Sequence, residues 1–310
     1  MNHMADTALR TTIMQNTEAE NAIRSGSLPA ALIFDKGGKM LSINDEQFIR
    51  LTEYLKNHFG VNLIKKRTLV ESRLNNYLVR NGFTSYSAYL DYVFGDDTGA
   101  EMGQLLNLLT TNYSYFMREW EHFRYFRDKV LPEMAPVLRD GDLRTWSAGC
   151  STGQEPYTLA MLLSDYMNEH KLSWDARVLA TDISEKALAA ARKGEYTEEC
   201  MKSVPSIWKL SYFTKLGDDM WMVSDKLKKE VIFRRFNLIE EAFPFKRKFH
   251  VIFCRNVMIY FTEDTKRQLI SRFYDAMMPG GYLFIGQSES IDKSVTNFKF
   301  VMPSVYKKVV

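Results

Sequence analysis

From Asp45 to about Met117, apolar residues return every three or four positions. Phe48, Leu51, Leu55 and Phe59 form one set, and Leu63, Val70, Leu74, Tyr77 and Leu78 form another. Such spacing lays an apolar stripe along one helix face, so it predicts short amphipathic helices that pack on one another. Gly60, Gly82 and Gly95 mark the breaks between them. A further helical stretch at 119–134 leads to a boundary at 136–141, which opens with Pro136 and closes with Gly141. Beyond it the rhythm changes to short apolar runs at 143–147, 177–181, 231–236, 251–254, 282–285 and 305–310, with helical patterns after most of them. Strands that alternate with helices predict an α/β architecture around a parallel sheet. Between Gly194 and about Glu230 the alternation stops, in a stretch rich in Trp, Tyr and Lys that is too long for a simple connection and reads as an inserted subdomain. Residues 1–45 are polar, apart from two short apolar runs (31–34 and 40–43) around Asp35-Lys36-Gly37-Gly38, which predict a hairpin or a loose tail.

The chain has 310 residues, 45% of them apolar and 25% charged, which is ordinary for a globular protein, is enough for two domains and does not suggest disorder or a fibre. Lys plus Arg number 41 against 38 Asp plus Glu; the net charge of +3 is too small to draw nucleic acid by bulk attraction, so recognition of any charged partner is local. Cys150, Cys200 and Cys254 are odd in number and lack CxxC spacing, which argues against a disulfide framework or zinc site and for a reducing cytoplasm. No run of about 18 apolar residues and no export pattern occurs, so neither membrane insertion nor secretion is expected. His3, His58, His122, His170 and His250 never fall four apart, so no metal is expected.

The run at 143–147 enters Ala148-Gly149-Cys150-Ser151-Thr152-Gly153 and then a helical pattern. In an open parallel sheet, ligands bind outside the carboxyl ends of the strands, and Gly149 there would let the backbone approach one. A tight turn that serves only packing is the alternative. The next strand ends in Asp182, where an acid can accept hydrogen bonds from ribose hydroxyls; it could equally cap the helix that begins near Ser184. The turn lacks a full GxGxxG and has no basic cluster for a pyrophosphate, which favours S-adenosylmethionine over a nicotinamide dinucleotide.

Four ordered blocks carry a resemblance. They are Leu109-Thr110-Thr111-Asn112-Tyr113-Ser114-Tyr115-Phe116-Met117-Arg118-Glu119, then 147–157 with Ala180-Thr181-Asp182-Ile183-Ser184, then Cys254-Arg255-Asn256-Val257-Met258-Ile259-Tyr260-Phe261, and Pro279-Gly280-Gly281-Tyr282-Leu283-Phe284-Ile285-Gly286-Gln287-Ser288-Glu289. The chain resembles the CheR family of chemotaxis receptor methyltransferases over roughly 46–310. The resemblance implies a small all-α N-terminal domain at 46–117 for receptor recognition, a linker helix at 118–140 and a class I methyltransferase domain at 141–310. That last domain would have a Rossmann-like, mostly parallel seven-stranded sheet and an antiparallel β-subdomain at about 195–230. It also implies cofactor contacts from Asn112, Ser114, Arg118, Glu155, Asp182, Asn237, Leu238, Asn256 and Val257, beside the Gly149 turn. Ser114 stands where the family usually has Thr, and Met117 where Phe is common.

Methyl transfer from a sulfonium to a glutamate carboxylate is an in-line displacement, and a carboxyl with an ordinary pKa of about 4.3 is already ionised at neutral pH. No general base is needed; holding both reactants in line is worth up to about 7–11 kcal/mol. Arg118 and Tyr260 are the candidates for orienting the carboxylate, and the resemblance points to the same pair. Taken alone, Arg118 reads as a surface ion pair with Glu119 or Glu121, Tyr260 as a core aromatic beside Phe261, Glu155 as a first-turn acid on the helix dipole, and Asn237 as a turn residue.

Lys66, Arg73 and Arg80 recur every seven residues and share one helix edge, with Lys65 and Arg67 nearby. A solvated face is one reading; the resemblance favours a surface that steers the acidic cytoplasmic helices of a chemoreceptor. The Tyr212–Trp221 stretch has only Gly217 and looks short for gripping a receptor C-terminal pentapeptide, so no tight tether is expected. Two alternatives stay open: a class I methyltransferase acting on another protein or a small acid, and a cofactor-binding sensor without turnover.

Overall fold

The computed structural model describes residues 41–110, 114–138, 140–292 and 296–309. Most of the polar extension, including the 31–34 run, and the candidate Asn112 lie outside these residues.

Helix α1 (Asp45–Phe59) starts where Asn44 and Gln47 exchange side-chain-to-backbone bonds, a capping box. It ends at Gly60, whose φ of 70° is the left-handed conformation that glycine adopts without a Cβ clash. Helices α2 (Arg67–Arg80), α3 (Tyr86–Phe94) and α4 (Ala100–Leu109) complete the helical domain. Leu51, Leu55, Leu63, Val70, Leu74, Leu78, Leu90 and Leu105 meet in its core, all fully buried. A buried polar pair sits among them: Tyr86 Oη donates to Asn75 Oδ1 at 2.6 Å, and Asn75 Nδ2 donates to the Leu41 carbonyl at 3.1 Å. The 41–43 end of the polar extension is therefore core rather than tail, with Leu41 and Ile43 packed into this cluster. It forms no hairpin strand.

A continuous helix, α5 (120–134), crosses to the second domain and includes a π-helical turn at Phe126–Val130. The sheet there comprises β1 (Thr145–Ala148), β2 (Val178–Asp182), β6 (Val231–Arg235), β7 (Phe249–Cys254), β8 (Met277–Ile285), β9 (Phe298–Met302) and β10 (Val305–Lys308). Its spatial order is β6-β2-β1-β7-β8-β10-β9; the first five run parallel, β10 runs against them, and β9 pairs antiparallel with β10 at the edge. Strands β1 and β7 are buried at every residue, as parallel strands covered on both faces must be. Strand β9 carries no sequence expectation because it is a half-exposed edge strand without a continuous apolar run. Helices α6 (Gln154–Glu169), α7 (Glu185–Lys193) and α11 (Glu263–Ala276) cover the sheet.

The stretch between α7 and β6 folds as a three-stranded antiparallel sheet, β3 (Glu195–Thr197), β5 (Met220–Val223) and β4 (Phe213–Lys215) in spatial order. Short helices α8 (Glu198–Met201), α9 (Ser206–Tyr212) and α10 (Asp225–Lys228) flank it. Among the described residues, no helix is long and apolar enough to cross a membrane, and no group of three His, Cys, Asp or Glu side chains could hold a metal ion.

Candidate functional site

A cavity of about 360 Å³ opens at the carboxyl ends of β1, β2, β6 and β7, within the roughly 300–1,000 Å³ of small-molecule sites. Ser114, Arg118, Gly149, Glu155, Asp182, Asn237, Leu238, Asn256, Val257 and Tyr260 all line it. The folded chain thus brings together every described candidate for donor binding or catalysis. Phe59, Val61 and Leu106 of the helical domain complete the wall. Sequence reasoning missed these three because their spacing reads only as helix core.

Asp182 does not cap the following helix; Ser184 does, its hydroxyl accepting from Ala187 N at 3.0 Å. The Asp182 carboxylate instead spans two loops, accepting from Ser151 N at 2.7 Å and Ser184 N at 2.9 Å. Burial raises its pKa above the ordinary carboxylate value, opposed by these N–H groups. Ile183 N bonds the same carboxylate, so of its about four lone-pair positions roughly one is left for a ligand hydroxyl. At Gly149, with φ 87°, an added Cβ would stand 2.3 Å from Val257 Cγ2. That glycine is required by close packing of the β1 turn against the β7 turn, both of which line the cavity.

Glu155 lies in the first turn of α6, but its main partners are elsewhere. Oε1 accepts from Ser147 Oγ at 2.7 Å and Oε2 lies 2.9 Å from Arg255 Nη1. Arg255 is 2% exposed, stacks 5.0 Å from the Phe123 ring and reaches Glu119 at 3.1 Å as well as the Arg118 carbonyl. Burial alone would raise the Glu119 pKa; the Arg255 charge and the Asn256 amide, donating at 3.2 Å, hold it below the ordinary range. Of the two acids beside Arg118, Glu119 pairs with Arg255 and Glu121 with Arg124 at 2.7 Å. Glu119, Arg255 and Glu289 were missed as functional residues, although each lies inside a motif block. Membership in a block was the available signal.

Six described non-glycine residues have positive φ, and four of them sit around the cavity: Met117 at 63°, Glu119 at 54°, Ser151 at 50° and Asn256 at 59°. Left-handed backbone costs roughly 1–2 kcal/mol at a non-glycine residue and collects where surrounding contacts over-determine it.

Asn237 bridges the domains, its Nδ2 donating to the His58 carbonyl at 2.9 Å while Oδ1 accepts from Ile239 N at 3.3 Å. It is a turn residue and a cavity residue at once. Asn62 N donates to the Tyr260 carbonyl at 2.8 Å, so the helical domain also grips the turn that carries Tyr260. None of the described histidines lines the cavity; burial lowers the pKa of both His122 and His250 to about 4.

The expected basic edge of α2 is not continuous. Arg67 is folded inward, donating to the Ile43 carbonyl at 2.8 Å, pairing with Asp45 and lying 4.6 Å from the Phe48 ring. Arg73 donates to the Leu109 carbonyl at 2.8 Å, satisfying the C-terminus of α4, where helix carbonyls lack internal partners. Its guanidinium thus ties α2 to α4. Lys66 and Arg80 are exposed, and Lys66 Nζ stands 6.0 Å from the Tyr260 ring at the cavity rim.

Residues 46–110 match the family model described as the CheR methyltransferase all-alpha domain, and residues 112–307 match the CheR methyltransferase SAM binding domain. The chain belongs to the CheR methyltransferase family. Among its relatives, the chemotaxis protein methyltransferase of Borreliella burgdorferi is 39% identical over 86% of this chain and 96% of its own length. That of Escherichia coli is 33% identical over 86% and 92%, and chemotaxis protein methyltransferase Cher2 of Pseudomonas putida is 32% identical over 85% and 97%. This CheR protein is an S-adenosylmethionine-dependent methyltransferase. The residues present fit that donor: the Asp182 carboxylate has spare acceptor capacity, Leu238, Val257 and Ile183 offer apolar surface, and Ser114 and Arg118 supply further polar groups to the lining.

Proposed function

We propose that this CheR protein methylates glutamate side chains on the helical cytoplasmic bundle of a chemoreceptor, in the cytoplasm, and that Arg118 and Tyr260 orient the acceptor carboxylate. The observation that carries the reading is that Arg118 and Tyr260 share one cavity with the Asp182 and Glu155 carboxylates while none of the described histidines lines it. That arrangement suits a reaction governed by alignment rather than by proton transfer. When bound, S-adenosylmethionine supplies the methyl group on a sulfonium. Asp182 and the apolar wall of Leu238 and Val257 fix one end of the cavity, and Phe59, Val61 and Leu106 exclude water. Arg118 turns one oxygen of an ionised carboxylate toward the donor side, and the Tyr260 hydroxyl holds the other.

Lys66, at the rim beside Tyr260, adds positive potential where an acidic helix would approach. The domain division proposed is 46–117 for receptor recognition, 118–140 as linker and 141–310 for catalysis. No tight grip on a receptor C-terminal pentapeptide is proposed, because the β4–β5 connection is only residues 216–219 and closes with Leu216 N donating to Met220 O at 2.7 Å. The test is transfer of label from methyl-labelled donor to receptor cytoplasmic fragments. Base-labile label released as methanol, on glutamate, supports an ester; base-stable label would reject it.

A further inference from the structure

The 279–289 block ends in Glu289, which does not line the cavity. Its carboxylate lies behind the wall. Oε2 accepts from Asn256 N at 3.0 Å and from Gly286 N at 2.6 Å, and Oε1 accepts from Ile259 N at 3.2 Å. The Met258 N–H points at the same group. An ionised carboxylate is an acceptor only, with about four lone-pair positions, and these backbone donors use them. Three of the four belong to the turn 256–260. That turn presents Asn256 and Val257 to the donor side of the cavity and Tyr260 to the mouth.

The turn has no regular hydrogen-bonded structure to hold its start, where Asn256 adopts φ 59°. It needs an external acceptor, and Glu289 is 33 residues away in sequence. Gly286 makes room for this arrangement: a Cβ there would lie 2.6 Å from Asn256 Nδ2 and 2.9 Å from Glu289 Oε2. The loop is bound to the cavity from a second side, since Gln287 N donates to Glu119 Oε2 at 3.2 Å and Asn256 Nδ2 donates to Glu119 Oε1.

We propose that Glu289 is a positioning residue for methyl transfer: its carboxylate sets the 256–260 turn so that Asn256 and Val257 meet the donor and Tyr260 meets the acceptor. It touches neither reactant. The proposal rests on the donor cavity described above and not on which acceptor is methylated, so it is read without any receptor.

The experiment is calorimetric titration of S-adenosylhomocysteine into the full chain, as wild type, Glu289→Gln, Asn256→Ala and the double variant, with a thermal melt of each. An amide at 289 turns an N–H₂ toward backbone N–H groups, so Glu289→Gln is expected to weaken binding about tenfold or more, the scale of one lost hydrogen bond to a charged group. Because both residues act through one turn, the double variant is expected to bind no more weakly than the weaker single variant. Gly286→Ala keeps every charge and displaces the same turn; it is expected to reproduce the loss, and it carries the test if Glu289→Gln does not fold. Affinity within twofold of wild type in folded Glu289→Gln, or losses that multiply in the double variant, would overturn the assignment. A lower melting temperature with unchanged affinity would likewise leave Glu289 as loop packing only. Failure of the wild type to bind would instead remove the donor site itself, and the assignment with it.

Discussion

Arg255 Nη1 lies 2.9 Å from Glu155 Oε2 in the lining of the cavity, in a side chain that is 2% exposed and that also reaches Glu119. Removing one partner of a buried ion pair leaves the other charge uncompensated, which costs about 3–5 kcal/mol. Arg255→Met is expected to lose that much stability in urea unfolding. Arg255→Lys is expected to recover only part of it, because an ammonium lacks the fork that serves two carboxylates and a carbonyl together. Equal stability of Arg255→Met and wild type would show that the triad is not a structural centre.

Arg118 has its carbonyl held by Arg255 and its side chain on the cavity wall, between left-handed residues on either side. If it orients the acceptor, Arg118→Ala is expected to lower kcat about 100-fold, the effect of roughly 1 Å of misplacement, with a smaller change in S-adenosylhomocysteine affinity. Steady-state kinetics with a receptor fragment measure the split. A change in affinity alone would make Arg118 a donor contact only.

Residues of the helical domain line the cavity proposed for the donor, so its docking is expected to control donor affinity. At Gly60 an added Cβ would meet Ile239 Cγ2 at 2.9 Å and Phe261 Cδ1 at 3.0 Å, in a left-handed conformation. Gly60→Ala is expected to loosen the contact between α1 and the catalytic domain and to weaken S-adenosylhomocysteine binding several-fold. Calorimetry on a variant that still melts cooperatively checks it; unchanged affinity would mean that Phe59 and Val61 are bystanders.

Much of this arrangement was readable beforehand and some was not, for reasons that differ by residue. The parallel strands announced themselves because burial on both faces demands continuous apolar runs, as in β7. Strand β9 escaped because an edge strand has no such demand, and the 41–43 run escaped because its few apolar residues serve a core built from α2 and α3. Most donor-site candidates lie in the motif blocks, as Arg255 and Glu289 do too, but the partners of these two are brought to them only by folding: Glu155 is 100 residues from Arg255, and Asn256 is 33 from Glu289. Of the seven-residue recurrence Lys66, Arg73 and Arg80, the last two lie on α2 and Lys66 stands just before its first turn. The recurrence could not reveal that α4 ends beside Arg73 and takes its guanidinium.

Stability is expected to fall on mild acidification. His122 and His250 are buried with pKa values lowered from 6.5 to about 4, chiefly by burial and next by nearby arginines. A histidine whose folded pKa is depressed favours the neutral form, so its contribution is fully present above the unfolded value and is lost as pH falls from 6.5 toward 4. Each contributes a slope of up to about 1.4 kcal/mol per pH unit in that window. His250 lies at the amino end of β7, away from the cavity, and accepts from Arg144 N at 3.0 Å. His250→Asn is therefore expected to flatten the pH dependence of urea unfolding between about pH 6.5 and 4 without altering donor affinity. An unchanged slope would contradict the role given to His250.

The central claim is that the cavity beneath Asp182 holds the methyl donor. Calorimetric titration of S-adenosylhomocysteine into wild type and Asp182→Ala, each shown to be folded, tests it most directly. One saturable site in wild type, weakened at least about tenfold by the substitution, is the predicted result, since charge-assisted hydrogen bonds contribute about 1.5–3 kcal/mol. Equal affinity in the two proteins, or no binding to wild type, would contradict it.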